Sequence, residues 1–271
     1  MKHLLFMCVF GCTLPVFAQQ FPRLLLSHNA ATGVYSSAFS DPFSQLINPA
    51  AVTAAGQFSV GVYGERRFQQ AALQQVTMVM QFPFLKNAIG IQTNYFGSSH
   101  LNESSVGMVF GKKLGRQISS GVGFNYYQFN APGYLRASSL IGEAGFLFRL
   151  TEELISGIAV RVPTRRSLGK GNESLRPVYQ FGIGYQPSEK FYLMLDAWKE
   201  EGRKMRTCVM MQYVFLEGFR LRGGWHDFSS QLLFSAGVYY RSAWLDIAVA
   251  RHPFLGYSSG VQLLYAPVAK P

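Results

Sequence analysis

Gln231–Tyr265 reads QLLFSAGVYYRSAWLDIAVARHPFLGYSSGVQLLY, and its alternation decides the fold class. Leu232, Phe234, Ala236, Val238 and Tyr240 fall on one side of a period-2 pattern, and Leu233, Ser235, Gly237, Tyr239 and Arg241 on the other. Arg241-Ser242 is a tight turn. Ala243, Leu245, Ile247 and Val249 then resume an apolar face opposite Trp244, Asp246, Ala248 and Ala250. Strands of about ten residues with one apolar face and one small or polar face are what a membrane-spanning barrel requires.

Working outward, Gln57 onward is a succession of such runs. The faces predicted to point outward include Phe58-Val60-Val62, Val76-Met78-Met80-Phe82, Val106-Met108-Phe110, Val122-Phe124-Tyr126, Tyr179-Phe181-Ile183-Tyr185 and Thr207-Val209-Met211-Tyr213. Counted through the C-terminal runs they predict an all-β chain: one antiparallel transmembrane barrel of about fourteen strands over 57–266. Joins after even-numbered strands are short (Pro83–Asn87, Leu114–Arg116, Leu216-Glu217). Those after odd-numbered strands are longer (Asn130–Arg136, Thr164–Pro177, Arg251–Tyr257). Outer-membrane barrels alternate short periplasmic turns with longer outer loops, and an even count puts both termini in the periplasm.

Composition agrees. Charged residues are 14% of the 271, aromatics 15%, and mean hydropathy is +0.09. A typical soluble chain is about 25% charged. No apolar run is long enough for a spanning helix, so the apolar surface must be spread over strands. Met1–Ala18 reads as a secretory signal cleaved before Gln19, which would remove Cys8 and Cys12 and leave Cys208 alone. The formal charge is +11, with Lys and Arg scattered and no recognition helix. Either anionic lipid and lipopolysaccharide are the counter-charge, or these are solvated loop charges with no partner; nucleic acid is not expected.

Residues 19–56 lack strand alternation. Asp41-Pro42 and Asn48-Pro49 each place a capping side chain before a helix-starting proline, predicting helical turns over Pro42–Ile47 and Pro49–Ala55. Such a segment fits a barrel mouth as a plug, or lies as an arm on the rim.

In this segment the chain resembles outer-membrane fatty-acid-transporter-like barrels, where an aspartate precedes an Asn-Pro-Ala motif. Here these are Asp41, Asn48, Pro49 and Ala50. It resembles more closely their Bacteroidetes relatives, including outer-membrane components of the type IX secretion system. That likeness is carried by Asn125-Tyr126, Pro132-Gly133-Tyr134, Pro163-Thr164-Arg165, Gly184–Lys190 and His252–Gly256. Ser258, Gly260, Leu263 and Tyr265 resemble the C-terminal signal read by the barrel-insertion machinery. The resemblance implies a non-enzymatic barrel in the outer membrane of a Gram-negative bacterium. It would carry an apolar or amphipathic molecule or serve as a docking component among secretion-system proteins.

Inward parity collects Glu65, Glu143, Arg149, Arg161, Asp196, Arg206, Arg220, Arg222 and Asp246. They are either a path that orients a ligand or a network of interior ion pairs. Arg220 and Arg222, two apart on one strand, need an anion: Asp196, Asp246 or a ligand carboxylate. Tyr63, Phe96, Tyr127, Tyr192 and Trp198 share their face. Arg161, Arg165, Arg166, Lys170 and Arg176 lie in and beside the longest loop. His100, His226 and His252 are expected at outer loops. His226-Asp227 with Ser229 is a turn, since adjacency in sequence is not triad geometry. No cofactor or metal cluster is expected. Passage, docking and, third, lipid-modifying catalysis remain as function classes.

Overall fold

The computed structural model describes residues 31–133, 135–164, 175–227 and 230–266. The predicted signal, the C-terminal tail 267–271 and loop residues Arg165, Arg166 and Lys170 lie outside them. Fourteen strands follow one another: β1 (Ser59–Arg66), β2 (Gln74–Phe84), β3 (Asn87–Gly97), β4 (Asn102–Lys113), β5 (Ile118–Ala131), β6 (Leu135–Arg149) and β7 (Leu154–Pro163). The second half is β8 (Val178–Tyr185), β9 (Phe191–Glu200), β10 (Arg206–Leu216), β11 (Phe219–His226), β12 (Gln231–Tyr240), β13 (Ala243–His252) and β14 (Gly256–Tyr265). Each pairs antiparallel with its sequence neighbours, and β1 closes on β14 from Val60↔Tyr265 to Arg66↔Ser259. Closure leaves no unpaired edge, the condition for strands to cross a membrane. A ten-residue strand rises about 34 Å, and at a tilt near 40° spans roughly 25 Å, the height of an apolar belt.

The predicted faces stand. Val106, Met108, Val122, Phe124, Leu232, Phe234 and Ile247 are exposed on the outer wall, while Val109, Leu233, Asp246 and Gln262 are buried on the inner one. The joins are tighter than expected in two places. Asn130 pairs with Arg136 and Ala131 with Leu135, so β5 and β6 run past the predicted loop. Arg251 pairs with Tyr257, which shortens the β13–β14 loop likewise. Polar residues continue these ladders because backbone pairing, not apolarity, holds a hairpin together beyond the membrane belt. His226 is also corrected: it ends β11 facing inward and is 1% exposed.

Segment 31–56 lies within the barrel, not on its rim. It forms 3-10 turns at Pro42–Leu46 and Pro49–Ala54 in place of α-helical ones. Phe43, Ile47, Ala50 and Val52 are fully buried. It fills the end of the lumen where the short turns and the start of β1 lie. The wall makes room with glycine. A Cβ on Gly121 would fall 2.3 Å from Pro49 C, on Gly145 2.3 Å from Asn48 Oδ1, and on Gly182 2.1 Å from the Tyr35 ring. Glycine is thus used here as a seat for the plug.

Candidate functional site

The plug is held first by its own caps. Asp41 accepts from Phe43 N at 2.9 Å, and the Ser44 hydroxyl accepts from Asp41 N, which closes a capping box. Asn48 accepts from Ala50 N at 2.9 Å. The caps leave side-chain donors free to reach the wall. Asn48 Nδ2 donates to Phe146 O at 3.0 Å and to Ile158 O at 3.1 Å, and Gln45 Nε2 donates to Ile91 O at 3.0 Å. Pro49 and Ala50 pack flat against β5 at Gly121.

Wall to plug, Arg161 on β7 donates to both Leu46 O and Ile47 O at 2.6 Å, to Gln180 at 2.9 Å, and faces Glu143 at 3.6 Å. Asp196 on β9 accepts from the Tyr35 hydroxyl at 2.7 Å and from Gln180 Nε2 at 2.6 Å. Burial and the neighbouring Asp196 push the Tyr35 phenol up. Arg222 donates to Gln212 at 2.9 Å and Gln262 at 3.0 Å, and stands 3.8 Å from Asp41 of the plug. Burial pushes the Asp41 carboxyl up to about 6, partly opposed by Arg222 and Arg220.

Arg220 binds both carboxylate oxygens of Asp246 and lies 4.1 Å over the Trp244 ring. Gly237 leaves the space that Asp246 occupies. The anion that the two arginines require is therefore supplied from within: Asp246 for Arg220, and the plug's Asp41 beside Arg222. Asp196 serves Tyr35 and Gln180 instead.

A belt of hydrogen bonds runs round the wall: Gln92 to Asn125 at 3.0 Å, Asn125 to Glu143, Glu143 beside Arg161, Arg161 to Gln180, Gln180 to Asp196. Inward parity had marked only its charged members. The amides Gln92, Asn125, Gln180, Gln212 and Gln262 carry the same parity and were readable by the same rule. Gln45 and Tyr35 were not, because nothing in their own segment says which wall they meet.

The other predicted residues fall as follows. Glu65 accepts from the Tyr63 hydroxyl at 2.8 Å near the opposite mouth, where Arg67 lies 5.1 Å over Phe96. Arg206 is buried at the start of β10. Arg149 ends β6 exposed at the short-turn rim, because its strand outruns the lumen. Arg176 donates to Glu201 O at 3.0 Å. Cys208 Sγ and His226 Nε2 are 3.5 Å apart against Trp198, and Asp227 accepts from Thr207; Ser229 lies outside the described residues. Ser258 accepts from Phe68 N at 3.0 Å; Leu263 and Tyr265 face outward and Gly260 inward on the closing strand. No group of three or more metal-ligating His, Cys, Asp or Glu side chains occurs among the described residues.

No sequence-family profile and no curated protein matches the chain. Solved structures do. A Pseudomonas aeruginosa FadL homologue superposes with a TM-score of 0.63 at 10% identity, over 88% of this chain and 97% of that one. The CymD monoaromatic hydrocarbon channel gives 0.62 at 11% over 89% and 94%. This chain shares the fold of outer-membrane hydrocarbon channels. The Ralstonia pickettii toluene transporter TbuX adds a TM-score of 0.58 at 12% identity, over 83% and 92%. These likenesses lend no support to a docking role in type IX secretion.

Proposed function

We propose that this barrel stands in the outer membrane of a Gram-negative bacterium and passes a small apolar or amphipathic molecule without catalysing a reaction. Both termini are then periplasmic. The short-turn end, stoppered by the plug, faces the periplasm, and the β7–β8 loop faces lipopolysaccharide. β14 carries the residues read by the insertion machinery. The observation that carries this reading is the plug. A segment fitted to the lumen through glycine seats and side-chain donors blocks one end of a barrel whose other end bears Phe96 and Tyr127. A purely structural barrel has no need to fit a separate segment into its own bore. The fold shared with the toluene transporter and the monoaromatic hydrocarbon channel supports the same direction.

The test is to delete 41–56 and reconstitute the barrel in liposomes. Entry of a small aromatic hydrocarbon should rise above that of the full chain, with planar-bilayer conductance rising alongside. A folded deletion variant with unchanged passage would refute the reading.

A further inference from the structure

We infer that the inner wall of β2–β5, on the mouth side of the plug, binds small amphipathic molecules through hydrogen bonds donated by the ligand, so that alcohols and phenols are taken and carboxylates are not. This rests on the passage reading above and names its substrate class.

Three buried atoms on this wall have no hydrogen-bond partner among the described residues: Gln75 Oε1, Gln92 Oε1 and Ser105 Oγ. Their side chains are at most 4% exposed. The ladder brings them together. Thr77, Asn94 and Ser105 form one tier across β2, β3 and β4; Gln92 lies one tier inward beside Gly107, and Gln75 one tier outward beside Phe96.

The direction of Gln92 is set by chemistry. Glu143 offers an acceptor, so Asn125 must turn Nδ2 toward it. Asn125 Oδ1 is then left to accept Gln92 Nε2 at 3.0 Å, and Gln92 Oε1 is the end of the chain. Gln75 likewise uses its Nε2 on Thr77 and Asn94, at 3.1 and 2.8 Å. Two acceptors and one hydroxyl are thus left buried without partners, and a ligand hydroxyl entering here donates to one of the acceptors. Phe96 and Tyr127 flank the patch and keep 9% and 8% exposure, enough to offer ring faces to an apolar body.

The charges point the same way. The lumen arginines that would recognise a carboxylate are engaged: Arg220 by Asp246, Arg222 by Gln212 and Gln262 beside Asp41, Arg161 by the plug carbonyls and Gln180. At the mouth the carboxylates of Glu65 and Glu103 both act on Arg67. An incoming anion therefore finds Arg67 already faced by two acidic side chains and, on the wall, acceptors without donors.

The experiment uses the full chain in detergent, with empty micelles as reference, and three ligands on one ring: benzyl alcohol, toluene and benzoate. Binding is read by saturation-transfer-difference NMR titration. Benzyl alcohol should bind about tenfold more tightly than toluene, the worth of one or two net hydrogen bonds, and benzoate more weakly than either. In Gln92→Leu/Ser105→Ala the alcohol should fall to the level of toluene, whose own binding holds. Heat-modifiable migration confirms that the variant folds. Benzoate binding as tightly as benzyl alcohol would overturn the proposal, as would a preference for the alcohol that survives the double change. In those cases toluene binding still supports passage. Binding of none of the three ligands overturns both readings.

Discussion

Gly121→Ala adds one methyl where the wall meets the plug. The new Cβ would stand 2.3 Å from Pro49 C and 2.4 Å from Ala50 N, both backbone atoms that cannot rotate away. Carbon–carbon contact is comfortable at about 3.5–4.0 Å, so the plug backbone must retreat by more than ~1 Å. A retreat of that size draws Asn48 Nδ2 from Phe146 O and Ile158 O, now 3.0 and 3.1 Å away. Two neutral hydrogen bonds at about 1 kcal/mol net each, with overpacking at about 1–3 kcal/mol, give roughly 3–5 kcal/mol against the seated state. At the low end, about 3 kcal/mol is ~100-fold in the opening constant. The control is Gly142→Ala, whose Cβ faces outward and meets nothing nearer than Val162 O at 3.8 Å. Hydrogen exchange followed by mass spectrometry on the plug peptide should accelerate in Gly121→Ala and not in Gly142→Ala, with strand peptides unchanged in both. Equal plug exchange in the two variants would show that the glycine seat does not hold the plug.

Other consequences are as direct. Ile247→Arg and Ala248→Arg are neighbours on β13 facing opposite ways. The first should destabilise the folded barrel by roughly 2–4 kcal/mol in lipid and the second by much less, read from urea midpoints in vesicles. Arg161→Gln removes the cation beside Glu143 and the donor to two plug carbonyls. A loss of about 3–5 kcal/mol is expected, partly recovered by adding Glu143→Gln, and a double variant no better than the single would refute the pairing. Asp41 has a seated pKa near 6, above the ordinary carboxylate range, so the seated plug binds the proton more tightly than the free one. Seating is therefore firmest below the ordinary range and weakens as pH rises through 6, by roughly 3 kcal/mol for two units. Plug exchange should quicken between pH 4 and 7, and Asp41→Asn, which keeps a capping oxygen, should flatten that dependence.

The barrel was legible because its outer face has one solvent throughout. Outward positions in the middle of the strands are mostly apolar, so the alternation recurs in strand after strand between Val60 and Tyr265, and closure follows from strand count and loop parity. The two capping pairs, Asp41-Pro42 and Asn48-Pro49, marked the plug for a similar reason: a cap and a proline act within four residues. What remained hidden depends on contacts across long stretches of chain. Nothing in the sequence around the glycines at 121, 145 and 182 separates a seat from a bend in the strand, and only the position of Tyr35, Asn48 and Pro49 shows them to be seats. Arg220 and Arg222 looked alike on one strand. Their fates differ because Asp246 is two strands from β11, whereas the acid beside Arg222 arrives from the plug.

That difference bears on how the bore could open. Arg220–Asp246 joins wall to wall and survives any movement of the plug. Arg222 also keeps Gln212 and Gln262 when Asp41 leaves, so departure costs the wall no hydrogen bond at this point. Arg161 is less forgiving: two of its donors end on plug carbonyls, and release strands them beside Glu143. The plug is therefore fastened unevenly, weakly at Asp41 and strongly at Leu46–Ile47. A movement that frees Asp41–Ser44 while Arg161 keeps Leu46–Ile47, and with them the turn that follows, costs less than withdrawal of the whole segment. Arg161→Gln should thus raise exchange in Asn48–Ala55 more than in Asp41–Ser44, a graded pattern that a plug leaving as one unit would not produce.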